Sequence, residues 1–239
     1  MSMLSIERLR VDYGNHTALD ITEKIEFTRG DKIGIIGGNG AGKSTFVKAI
    51  CGLVNYSGTI NTELKQSDIA IHLQDNQYIK RMSVRVIMEM IFNTTIEKNT
   101  KLLETIRFFD FEPCLKKRFA QLSGGQKQKL TIILVLMQNK PLTFFDEVTS
   151  GLDFQSRTKL MPKIKEWYKA NDGVVCMVSH YYDELQDFCN KLLIIDKGRV
   201  VAFDTVENLA IKHNATEVTI KRKNDIETIF TNAVKGVTK

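Results

Sequence analysis

Eight consecutive residues, Gly37-Gly38-Asn39-Gly40-Ala41-Gly42-Lys43-Ser44, gather more chemical capacity than any other stretch of the chain. Their spacing is G-x-x-x-x-G-K-[ST], the pattern of a loop that wraps phosphate. Its glycines let the backbone turn sharply, so that successive N–H groups face one anion. A helix starting near Lys43 points the positive end of its dipole at the same place. In such a loop Lys43 reaches the terminal phosphates of a nucleotide. Ser44 offers a hydroxyl to Mg²⁺, and Thr45 stands beside it on the phosphate side.

Two acids follow an apolar run at 142–145. Asp146 can hold Mg²⁺ through water, because that ion keeps several of its waters. Glu147, pointing in a different direction, can poise a water against a terminal phosphate as a general base. A guanine-reading Asn-Lys-x-Asp is missing, since Asn139-Lys140 and Asn190-Lys191 both lack the Asp. The Arg-rich lid of a small-molecule kinase is missing too. Leu122-Ser123-Gly124-Gly125-Gln126 narrows the class further. Ser123 is an N-cap type residue, and the two glycines leave helix N–H groups unshielded for an anion.

These groups need a scaffold that brings them together. Residues 32–36, 69–73, 142–145, 174–178 and 192–195 are short apolar runs, each ending near a polar residue, and read as buried parallel strands. Ligands of open α/β sheets bind outside the C-terminal ends of the strands. The glycine loop, Gln74, Asp146, Glu147 and His180 are therefore expected to meet in one crevice. Residues 4–13 and 21–27 alternate like antiparallel strands. Residues 75–120 carry helical spacing, with Ile87, Met90 and Ile91 on one face and Leu103, Ile106 and Phe109 to Phe111 nearby. After Asn214 the chain turns polar, with a strand expected at 217–221 and a short helix at 226–234. The expected fold is α/β: a P-loop NTPase core of RecA-like type with a mostly parallel sheet, an N-terminal antiparallel β subdomain and an inserted helical subdomain. All 239 residues form one domain, with the helical insertion at about 75–135 and a polar tail at about 212–239.

Apolar residues at 43% suffice for a large core, and charged residues at 26% are ordinary for a globular protein. The net charge of +6 reads as a solvated basic surface, and Lys221-Arg222-Lys223 is too short to argue for nucleic acid. None of the four cysteines falls in a CxxC pair, which fits a reducing compartment. The first ten residues lack the apolar core of a signal peptide. No apolar run approaches the roughly 20 residues of a membrane span.

With the glycine loop, the Asp146-Glu147 pair and the intact LSGGQ at 122–126, the chain resembles the nucleotide-binding domains of ABC ATPases from Tyr13 to about Asn208. The resemblance implies binding of ATP and Mg²⁺ and hydrolysis of ATP. It implies that Ser123, Gly124, Gly125 and Gln126 of one subunit touch the γ-phosphate held by another, in a homodimer or a heterodimer with a second ABC ATPase. It further implies that Tyr13 stacks on adenine and that Gln74 touches Mg²⁺ and senses a permease. Asp153, in Ser150-Gly151-Leu152-Asp153, communicates across the dimer, and His180 contacts the γ-phosphate beside the catalytic Glu147. Three positions depart from the family pattern: Val148 stands where Pro is usual, Lys129 where Arg is common, and 132–136 lacks the usual alanines.

The resemblance also implies a separate transmembrane permease as partner, which would hold the chain at the inner face of the cell membrane from the cytoplasmic side. Tyr78, Ile79 and Met82 are candidate contacts. Ser150-Gly151-Leu152-Asp153 and the segment 225–230 are similar to export-type members. The alternatives are an importer subunit, or a soluble ABC ATPase such as one of iron-sulfur assembly.

Overall fold

The computed structural model describes residues 2–72, 78–150, 152, 154–170, 172–186, 188–213, 226, 230 and 232–234. In chain order the strands are β1 (Ser2–Tyr13), β2 (His16–Ile21), β3 (Ile25–Thr28), β4 (Lys32–Ile36), β5 (Ser57–Thr62), β6 (Ile69–His72), β7 (Leu142–Asp146), β8 (Val174–Val178), β9 (Lys191–Asp196) and β10 (Arg199–Thr205). The α-helices are α1 (Lys43–Ile50), α2 (Val84–Phe92), α3 (Thr100–Phe108), α4 (Gly124–Met137), α5 (Phe154–Trp167), α6 (Tyr182–Gln186) and α7 (Val206–Lys212). The chain divides into two compact units. One holds 1–71, 141–147 and 172–239, and the other holds 72–140 and 148–171.

In the first unit, six strands run in the order β10-β9-β4-β8-β7-β6. β4 lies between β8 and β9 and is parallel to both, and β7 is parallel to β8. β4, β7 and β8 are therefore buried on two faces, which explains why they read as unbroken apolar runs rather than alternating ones. β9 turns back into β10 through Lys197 and Gly198, both at positive φ (46° and 78°). That pair of angles belongs to the tight turn whose twist suits a hairpin.

A second, antiparallel sheet pairs β1 with β2, β3 and β5. β1 buries Leu4 and Ile6, then Leu9 and Val11, so its period of two slips once. The register against β5 shifts between Ile6 and Arg8, placing the extra residue of a bulge there. The bulge keeps both apolar pairs on the core side. Leu4, Ile6, Leu9, Val11 and Phe27 of this sheet share one core with Ile33, Ile35, Phe144, Cys176 and Leu193 of the six-stranded sheet and with Phe46 and Val47 of α1.

The second unit is helical. Ser83 caps α2, Asn99 caps α3 and Ser123 caps α4, each side chain accepting a backbone N–H of the first turn. α4 buries every residue from Leu130 to Leu136, as a helix at the centre of its own unit must. The fully buried His72 meets Thr131 of α4 at 2.9 Å. On α2 the buried set is Val84, Ile87 and Met88, whereas Met90 and Ile91 are exposed. The expected face of Ile87, Met90 and Ile91 is thus corrected: the i, i+3, i+4 set begins at Val84.

Several further expectations shift. The alternating stretch 21–27 is not one strand: it holds the last residue of β2 and most of β3, broken at 22–24. β5 and β10 were not anticipated. The tail strand at 217–221 lies outside the described residues. Of the tail helix, Ile226, Phe230 and 232–234 are described, and all are helical. Among the described residues no helix is long and apolar enough to cross a membrane.

Candidate functional site

β4 delivers the chain into the glycine loop, and α1 carries it away. Gly37 follows the strand with no room for a side chain, since a Cβ there would lie 2.1 Å from the Ile195 carbonyl oxygen. Gly42, at φ 106°, is the residue before α1, and its Cβ would meet Leu19 at 2.7 Å. These two glycines are fixed by the protein's own packing and backbone. Gly38 differs. A Cβ there would meet nothing within 4 Å, so the space beside it is open to a ligand.

The loop lines a cleft of about 480 Å³ together with Tyr13, His16, Ala18, Thr45, Glu147 and His180. Lys43 is buried, and its ammonium donates to the carbonyls of Gly37 (2.9 Å) and Gly38 (3.0 Å). Desolvation pulls its pKa down, opposed by the charges of Glu147 and Asp146. Asp146, at the end of β7, is buried as well. Desolvation raises its pKa, opposed chiefly by a hydrogen bond from Ser44. Its Oδ1 has no hydrogen-bond partner among the described residues. A buried carboxylate oxygen in that condition, beside a serine hydroxyl, is the donor set a hard divalent cation takes.

Glu147 follows with φ 50°, a left-handed conformation rare for a residue with a side chain. Its N–H is tied to the Val178 carbonyl at 3.0 Å. Its side chain lines the cleft. There Oε1 meets His180 Nε2 at 2.8 Å. The strand ends of β7 and β8 therefore bring the acid and the histidine into contact.

In the helical unit, Ser123 and Gln126 form a reciprocal cap. The Gln126 N–H donates to Ser123 Oγ (3.3 Å), and the Ser123 N–H donates to Gln126 Oε1 (3.1 Å). Ser123 and Gly124 are exposed, and a Cβ on Gly124 would meet nothing within 4 Å. This helix start is therefore open to an outside anion. Gln74, Gly151 and Asp153 lie outside the described residues.

The cleft thus gathers Tyr13, Asn39 to Thr45, Glu147 and His180, while Ser123 to Gln126 belong to the other unit. His16 and Ala18 also line the cleft and were missed. No motif contains them. His16 enters because it pairs with Tyr13 across the β1–β2 hairpin. Of the candidate permease contacts, Ile79 is exposed, but Tyr78 packs edge-on against Phe119 with ring centroids 5.3 Å apart. Met82 is half-buried, and its carbonyl accepts the Phe119 N–H.

A glycine-loop core on a parallel sheet, joined to a helical unit that opens on a capped Ser-Gly-Gly-Gln turn, defines a P-loop ATPase. The sequence pattern of the ABC transporter family matches residues 23–150, more than half of the chain. The chain belongs to that family, as an ATP-binding subunit with the ATPase fold. It is 27% identical to the linearmycin resistance ATP-binding protein of Bacillus subtilis, over 98% of this chain and 79% of that protein. It is 27% identical to the tungstate uptake system ATP-binding protein of Peptoclostridium acidaminophilum, over 82% of this chain and 96% of that one. A solved ATP-binding subunit of an ABC transporter shares the fold, with a TM-score of 0.82 at 22% identity over 98% of this chain and all of that one.

Proposed function

We propose that the chain hydrolyses ATP in this cleft and drives export through a separate membrane permease. The observation that carries the reading is the meeting of the phosphate loop with the Glu147–His180 pair in one cleft. Adenine stacks on Tyr13. The amides of Gly38 to Ser44, with Thr45, hold the phosphates. Lys43 leaves the carbonyls of Gly37 and Gly38 for the β- and γ-phosphates. Mg²⁺, held by Ser44, Asp146 and Gln74, would neutralise phosphate charge. Glu147 takes a proton from a water whose oxygen attacks the γ-phosphorus, and the bond to the bridging oxygen breaks toward ADP. His180 donates from Nε2 to the γ-phosphate and holds it against the water.

Ser123, Gly124, Gly125 and Gln126 of a second copy, or of a related chain, close over that phosphate, with Asp153 near the seam. The exposed helix start at Ser123 and Gly124 supports this reading, since a Cβ on Gly124 would meet nothing within 4 Å and a partner's anion has room to approach. The permease meets the helical unit where Ile79 (64% exposed), Met90 (65%) and Val86 stand out as apolar surface. The chain then sits at the membrane on its cytoplasmic side.

Export is favoured by Ser150-Gly151-Leu152-Asp153 and by the tail segment after 225. The resistance relative, whose match extends through the tail, points the same way. The uptake relative supports import as the second reading. Inside-out membrane vesicles carrying the chain and its permease decide between them. ATP-dependent accumulation of a compound inside such vesicles supports export. Accumulation only by intact cells, lost with Glu147→Gln, establishes import.

A further inference from the structure

We propose that Ser179 and Glu184 form a buried bracket that positions His180 for ATP turnover, an inference resting on the role of His180 given above. Between β8 and α6 the chain has only Ser179, His180 and Tyr181. Ser179 and Glu184 are each 4% exposed. The Ser179 hydroxyl donates to Glu184 Oε2 at 2.6 Å and accepts the Tyr181 N–H at 3.0 Å. One side chain thereby fixes the backbone on both sides of His180, using its donor and an acceptor site together. The Glu184 N–H closes the turn on the Tyr181 carbonyl at 3.2 Å.

A buried carboxylate is costly unless it is hydrogen-bonded, and a bond of a hydroxyl to an ionised acid is short and strong. Leu185 of α6 is already fully buried, so an apolar group at position 184 would anchor the helix as well. What the carboxylate adds is direction. The tail reinforces it from the far side of α6: the Ile226 N–H donates to Gln186 Oε1 at 3.1 Å, and the Phe230 ring lies 5.9 Å from that of Tyr182. Within this short segment Ser179 is buried while His180 and Tyr181 are exposed, and the His180 ring meets Glu147 in the cleft. A misplacement of about 1 Å in such a group can cost about a hundredfold in rate without loss of binding.

Glu184→Leu removes the acceptor at similar volume, whereas Glu184→Gln retains an oxygen for the Ser179 hydroxyl. In steady-state ATP hydrolysis by the full chain, E184L is expected to lower kcat by about tenfold or more, with KM for ATP moving less than about threefold. E184Q is expected to restore kcat to within about threefold of the parent. Ser179→Ala removes the donor with little change of volume and reproduces the E184L effect, which covers the case in which leucine prevents folding. His180→Ala is measured alongside. Full turnover by H180A overturns the role of His180 itself. An impaired H180A beside unimpaired E184L or S179A overturns the bracket alone, and so does equal impairment of E184Q and E184L with KM rising in step.

Discussion

Gly37 and Gly38 are neighbours with opposite reasons for lacking a side chain. A methyl group on Gly37 would overlap the Ile195 carbonyl, while one on Gly38 would meet nothing within 4 Å. Gly37→Ala is therefore expected to destabilise the protein by about 1–3 kcal/mol in urea unfolding. Gly38→Ala should melt within about a degree of the parent yet bind ATP about tenfold more weakly by titration, because the phosphates lose their space. Asp146 carries the reverse trade. Burial raises its folded pKa above the ordinary value of 3.8. Its contribution to stability is thus complete below that value and is lost as pH rises through the raised one. Asp146→Asn is expected to raise the melting temperature of the nucleotide-free protein at pH 7 while abolishing hydrolysis. The advantage should shrink as pH falls toward about 4, which melting curves across that range will show. At this scale much was legible in the sequence, because the glycine loop and the LSGGQ turn are contiguous and backbone-driven. His16 and Ala18 were not legible, because they reach the cleft only through a hairpin pairing that no local pattern records.

Elements extend the same contrast. The alternation of 4–13 was legible as a strand, but the slip from Leu4 and Ile6 to Leu9 and Val11 emerges only from the register against β5, where a bulge keeps one face buried. β5, in contrast, brings only Ile60 against the core, and a strand with one apolar contact leaves almost no hydrophobic trace. The face of α2 was placed too far along the helix: Arg85 and Glu89 mark the polar side, and the buried set is Val84, Ile87 and Met88. α4 is apolar and buried only from Leu130 to Leu136, after a polar first half, and its start is marked by its cap. Ser123→Ala should cost about 1 kcal/mol of stability, read as a fall of a few degrees in melting temperature. ATP turnover should fall far more than that cost implies, since the exposed hydroxyl is also assigned to a partner's phosphate.

Across the whole molecule, the phosphate loop and the Ser123 turn belong to separate compact units. Each unit carries part of the proposed ATP site, and the two parts are proposed to meet between two subunits around ATP. Blocking hydrolysis should therefore hold such a dimer together. Light scattering of Glu147→Gln with ATP and Mg²⁺ is expected to show mass corresponding to two chains, either from this chain alone or with its related partner, and one chain without nucleotide. The division into units could be anticipated from the change to helical spacing after β6. The assignment of 148–171 to the helical unit could not, because those residues follow a core strand and their partners lie far back in the chain. The most direct test of the central claim is a paired measurement of ATP binding and single-turnover hydrolysis for the parent chain and Glu147→Gln. The predicted result is ATP affinity within about threefold of the parent with hydrolysis reduced by about a hundredfold or more. Hydrolysis at the parental rate by Glu147→Gln would contradict the account.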